Sequence, residues 1–127
     1  MKVFVYFNLH RKCFSVKALE GPDKGRVVAH RDNVLLHDAS FKVSQAGRLR
    51  VIREQRKNVH AGVCGTWLND TDDYTTGIRI AIMGSAIMYN PYKYTTFVHL
   101  FGEHPATSCR IAALNVSNKK PSIHTWD

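Results

Sequence analysis

Apolar residues in this chain recur mostly at every second position, in runs too short for an amphipathic helix, and that spacing calls for β-strands. Val3, Val5 and Phe7 alternate with Phe4, Tyr6 and Asn8, and Cys13 to Leu19 resumes the pattern after the polar corner Leu9-His10-Arg11-Lys12. Successive strand side chains point to opposite faces, so an opening β-hairpin with one buried face is expected. Gly21-Pro22-Asp23-Lys24-Gly25 is a turn signal; short apolar runs follow at 26–29 and 34–36, around the polar break His30-Arg31-Asp32-Asn33. Phe41-Lys42-Val43 reads as a strand ending at Ser44.

Residues 44–58 admit two readings. As a helix, Ser44 caps the start, Leu49 and Ile52 face inward, and Arg50, Arg53 and Lys57 line an outer stripe. As a hairpin, Gln45-Ala46-Gly47 makes the turn, and Arg48 and Arg50 oppose Leu49 and Val51. A thin apolar stripe and the roughly 1 kcal/mol cost of Gly47 inside a helix favour strands. Either way most of the arginines point to water.

Residues 59–68 read as a strand in which Gly62 and Gly65 suggest a bulge or a close backbone approach. An acidic loop at 69–73 and a central strand at 78–83 are expected next, then a turn at Gly84-Ser85 and a strand at 86–89 that Asn90-Pro91 breaks. Runs at 95–101 and 109–116 should pair around Gly102-Glu103-His104-Pro105. The sum is a mainly β protein, a single small antiparallel barrel or curved sheet with at most one short helix. A chain of 127 residues fits one globular domain over 1–127, with 118–127 as an extended tail.

A formal net charge of +8 favours polyanionic partners. Between Lys42 and Lys57 the cations Arg48, Arg50, Arg53, Arg56 and Lys57 stand against a lone acid, Glu54. Guanidinium forks grip phosphate through two oxygens at once, so this run is the first candidate site; its plainer reading is a solvated face. Tyr89-Asn90-Pro91-Tyr92-Lys93-Tyr94 is the second. A proline-held loop can offer a ring to a base at about 1–3 kcal/mol per stacked base, with Lys93 on phosphate and Asn90 on a base edge. The rival reading has these rings closing one end of the sheet.

No catalytic residue is assigned. The seven histidines match no zinc signature, His124-Thr125-Trp126 lacks a matching partner at His99, and no nucleophile elbow or P-loop is present. Asp70, Asp72 and Asp73 lack the order of a calcium loop, so no metal and no cofactor are expected. Cys13, Cys64 and Cys109 are odd in number and widely spaced, as in a reducing compartment. The N-terminus lacks the apolar core and cleavage site of a signal peptide, and no run spans a bilayer, so a cytoplasmic protein without membrane contact is expected.

The segments Phe41 to Val51, Lys57 to Ala61 and Tyr89 to Tyr94 resemble small accessory proteins encoded by bacteriophages. That resemblance names no activity and carries over no functional residue. It implies a setting, the host cell cytoplasm, where factors of this size and style blunt host defence, some by soaking up nucleotide signals. The first expectation is a non-enzymatic binder of a phosphate-bearing nucleotide, suited to a homo-oligomer that grips two phosphates at a subunit seam. Alternatives are a general nucleic-acid-binding module, an inhibitor docking its basic face on an acidic host protein, or a phosphodiesterase or nuclease using His60, His99 or His124.

Overall fold

β-Branched and aromatic residues at alternate positions demand a sheet with one dry face, and the chain builds it. The computed structural model describes residues 1–67 and 83–126, so the expected acidic loop and all but the last residue of the strand at 78–83 lie outside the described residues. Within them run β1 (Lys2–Asn8), β2 (Cys13–Ala18), β3 (Val27–Arg31), β4 (Asn33–Val43), α1 (Gln45–Glu54), β5 (Ala61–Trp67), β6 (Ser85–Met88), β7 (Val98–His99), β8 (Ser108–Ser117) and β9 (Lys120–Trp126). The strands form a single antiparallel sheet in the order β3-β2-β1-β5-β4-β8-β9-β6-β7. Among the described residues the ends do not meet, so it is the curved sheet rather than the barrel. Curvature is strong enough that β2 and β8, well separated in the order, touch.

Register lines up the inward faces. Val5 stands opposite both Val16 and Val63, and Leu36 opposite Ala112. Val3, Val5, Phe14, Val16, Leu36, Val63 and Leu114 are buried without residual exposure to speak of, each worth about 1.5–3 kcal/mol of transfer free energy. Among outward-facing residues, Ser15 is also fully buried, and its hydroxyl is satisfied by Asn8 Nδ2 at 3.1 Å and His30 Nδ1 at 3.0 Å.

Three expectations need correction. The strands favoured within 44–58 are a helix, α1, which buries only Val51. Its stability comes from outside an apolar stripe: Ser44 Oγ accepts the Gly47 N–H at 3.2 Å, Gln45 Nε2 donates to the Thr95 carbonyl at 2.7 Å, and Arg48 Nε donates to the Tyr94 carbonyl at 2.8 Å. Gly47 sits inside the helix because a Cβ there would lie 2.6 Å from His60 Cβ. Next, the runs at 95–101 and 109–116 do not form a two-stranded unit. β7 pairs with β6, β8 pairs with β4 and β9, and a single bridge, Val98 to Pro105, spans the corner. Finally, the tail expected over 118–127 is a turn followed by β9, which lies between β8 and β6 inside the sheet. Asn118 and Lys119, both at positive φ, make that tight reversal, so the polar letters are turn rather than tail.

The close approach expected at Gly62 is present: a Cβ there would lie 2.5 Å from the Val5 carbonyl oxygen and 2.5 Å from the Phe4 ring. No disulfide links Cys13, Cys64 and Cys109. Among the described residues, no helix is long and apolar enough to cross a membrane.

Candidate functional site

Curling the sheet leaves its inner face with more wall than side chain, and the unfilled space is a hollow of about 620 Å³, a size typical of small-molecule sites. Val5, Phe7, Phe14, Val63, Leu114 and Ile123 supply apolar wall from β1, β2, β5, β8 and β9. Helix α1 contributes Val51, and the segment leading from it into β5 adds Lys57, Asn58, Val59 and His60. Across from these, the end of β6 and the loop after it bring Tyr89, Asn90, Pro91 and Tyr92. Lys57, Asn58, Asn90 and Tyr92 are exposed and mark the mouth; Tyr92 keeps 60% of its surface in solvent.

His60 and Tyr89 join the two sides. His60 Nε2 lies 2.6 Å from the Tyr89 hydroxyl and its Nδ1 lies 2.8 Å from the Asn58 carbonyl. A carbonyl only accepts, so Nδ1 carries the proton, and in the neutral ring Nε2 accepts from the phenol. An aromatic chain continues inward from this pair, with Tyr89 5.3 Å from Phe97 and Phe97 5.5 Å from Phe41 between ring centroids. Burial pushes the Tyr89 phenol above its ordinary value, and the nearby Arg48 guanidinium pulls it part of the way back.

The basic run divides on folding. Lys57 lines the hollow, whereas Arg48, half-buried and bonded to the Tyr94 carbonyl, and the exposed Arg50, Arg53 and Arg56 do not line it. Helical geometry is the reason, since 3.6 residues per turn cannot aim 48, 50 and 53 at one point. The tyrosine loop divides too. Tyr89, Asn90 and Tyr92 line the hollow, but Asn90 Oδ1 is held by the Tyr92 N–H at 2.9 Å in a local turn. Lys93 and Tyr94 do not line it. Glu103 Oε1 takes Lys93 Nζ at 3.0 Å and the Tyr94 hydroxyl at 2.6 Å. The Tyr94 hydroxyl and then the Lys93 ammonium hold the Glu103 carboxyl below its ordinary value, and Glu103 raises Lys93 in return. Glu103 and Lys93 are both exposed, where an ion pair contributes little to stability.

His60 has the most central place among residues that sequence reasoning did not assign to the site. Nothing local marks it, because its role depends on Tyr89, 29 positions away. Among the described residues, no group of three or more His, Cys, Asp or Glu side chains is placed to hold a metal ion.

Architecture and hollow together define a small, mainly β protein with an open curved sheet around an internal ligand-sized space. The chain belongs to the Mycobacterium phage L5 gene 82 protein family, whose profile matches residues 1–120. It is 43% identical over 111 residues to the Gene 82 protein of Mycobacterium phage L5, covering 83% of this chain and 82% of that protein. No solved structure matches it.

Proposed function

We propose that this phage protein is a non-enzymatic binder of a phosphate-bearing nucleotide, which it holds in the hollow on the inner face of the sheet. The base enters the apolar part, against Tyr89 and Tyr92, and the phosphate stays at the mouth with Lys57. The observation that carries the reading is the convergence of Lys57, His60, Tyr89 and Tyr92 on a single hollow of about 620 Å³. A base needs a flat face and a dry wall, whereas a phosphate needs a cation and water. Both environments occur here within one lining. Arg50, Arg53 and Arg56 stay outside it and serve the encounter, as a field that draws an anion towards the mouth.

Membership of a phage family supports a biological role in the infected cell, where binding alone is useful if the ligand is a signal. On this reading the protein works in the host cytoplasm and acts by sequestering a nucleotide messenger of the host's defence.

The test is to purify the protein from phage-infected host cells, release small molecules by heat and identify them by mass spectrometry. The expected result is an intact nucleotide at near-stoichiometric yield, lost from a Lys57→Ala/Tyr92→Ala variant. A ligand without phosphate, or recovery of a cleaved nucleotide alone, would contradict it.

A further inference from the structure

The outward face of the sheet carries two neighbouring aromatic rings, Phe4 and Tyr6, the second of which also lines the inner hollow. Register fixes which side chains share it. One row across the strands reads Lys17, Phe4, Cys64, Ser40 from β2 through β1 and β5 to β4. In the next, Tyr6 stands opposite Ser15, and Gly62 opposite Lys42. Neither row holds an acid. Outward positions of a half-wet sheet ordinarily carry polar residues, yet Phe4 and Tyr6 lie side by side in the middle of this one. Their centroids are 6.1 Å apart and their planes differ by 30°, so both present a face in nearly the same direction. Phe4 lies flat because Gly62 beneath it has no side chain.

We infer that this outward face is a platform for single-stranded nucleic acid, with Phe4 and Tyr6 stacking successive bases and Lys17 and Lys42 meeting phosphates on the two sides. Sheets bind single strands in this manner when aromatics project from central strands and cations flank them, since every base has a stackable face. An open hollow of about 610 Å³ continues the face past Lys17 and Tyr6 to Lys57 and Asn58, giving a strand a path towards the helix. Charge decides the occupant. Lys17 on β2 and Lys42 on β4 bracket the rings, and the whole chain carries +8. The Glu20 carboxylate sits at one corner, bonded to the Lys2 backbone N–H at 2.9 Å. An apolar protein partner would leave the lysines unpaired, whereas a polyanion with flat bases satisfies both kinds of side chain.

The two sites share Tyr6, Lys57 and Asn58 and are told apart by their ligands. The experiment measures fluorescence anisotropy of labelled single strands about 12 nucleotides long, of the order of one single-strand binding site, in RNA and DNA form. Duplex DNA is a third arm, and low salt is the starting condition. The parent should bind one or both single strands more tightly than duplex, whose bases are stacked out of reach. Phe4→Leu/Tyr6→Leu should weaken binding about tenfold for each ring that stacks a base. Lys17→Glu/Lys42→Glu, at outward-facing strand positions, should flatten the salt dependence by about 0.7 in slope for each phosphate no longer engaged. Thermal melting checks that each variant is folded; if the ring variant is not, the charge variant decides. Parent affinity in folded variants, duplex bound as tightly as single strands, or no binding by the parent at low salt would each overturn the inference.

Discussion

Arg48 donates from Nε to the backbone carbonyl of Tyr94 at 2.8 Å, which fastens the helix to the tyrosine loop across 46 residues of sequence. The bond gives a helix with one buried residue a tertiary anchor, and it holds one wall of the hollow against the other. Arg48→Ala should lower unfolding free energy by about 1–2 kcal/mol, as expected for a hydrogen bond from a charged donor. Arg48→Lys keeps the charge but lacks the planar fork, so it should restore little of the stability. Urea unfolding midpoints at constant slope distinguish these outcomes from a change in the unfolded chain.

Replacing Gly47 tests why glycine occupies a helix interior. Propensity alone makes Gly47→Ala favourable by about 0.5–1 kcal/mol. Here the added Cβ would meet His60 Cβ at 2.6 Å, and overpacking of this kind costs about 1–3 kcal/mol. A net fall in melting temperature is expected. A rise would mean that the helix does not press on His60.

Tyr89→Phe removes the hydroxyl that His60 Nε2 accepts from and leaves that nitrogen without its partner. The expected loss is about 1 kcal/mol of stability, together with freer motion of the His60 ring, visible as line broadening or a changed tautomer balance in nitrogen-detected NMR. An unaltered His60 spectrum would contradict the pairing.

Stability should fall on mild acidification, and His124 is one cause. Burial holds its imidazole below the ordinary value of 6.5, and its Nδ1 is buried without a partner among the described residues. The unfolded chain therefore takes up a proton at a pH where the folded chain still resists. Its contribution is complete above 6.5 and is lost progressively as pH falls through the lowered folded value. His124→Gln should flatten the pH dependence of stability below neutrality. An unchanged slope would place the titrating group elsewhere.

Much of the fold was legible because period-2 alternation is a direct consequence of the pleat. Val3 to Asn8 and Cys13 to Ala18 form the hairpin that their spacing dictates, in the register Val5 opposite Val16. Helix α1 was legible only as the less favoured of two readings, through its Ser44 cap, since its stability depends on Thr95 and Tyr94, far off in sequence, and its glycine answers a contact rather than a turn. The β9 strand was hidden by Asn118-Lys119-Lys120-Pro121, which resembles the start of a tail but is a reversal at positive φ. The site was half legible. Composition and loop chemistry pointed to Lys57, Tyr89, Asn90 and Tyr92, which share the hollow. They did not separate these from Arg50, Arg53 and Arg56, which are exposed away from the hollow, or from Lys93 and Tyr94, which Glu103 engages. One-dimensional clustering measures charge density, and direction is a property of the folded backbone.

The central claim is most directly tested by isothermal titration calorimetry of the purified protein with a panel of mononucleotides and cyclic and linear dinucleotides, run in parallel on Lys57→Ala and Tyr92→Ala. Saturable heat with at least one member at one site per chain is expected, and affinity at least tenfold weaker in each variant while both keep the parent's melting temperature. Heat from no member of the panel, or parent-like affinity in both variants, would contradict it.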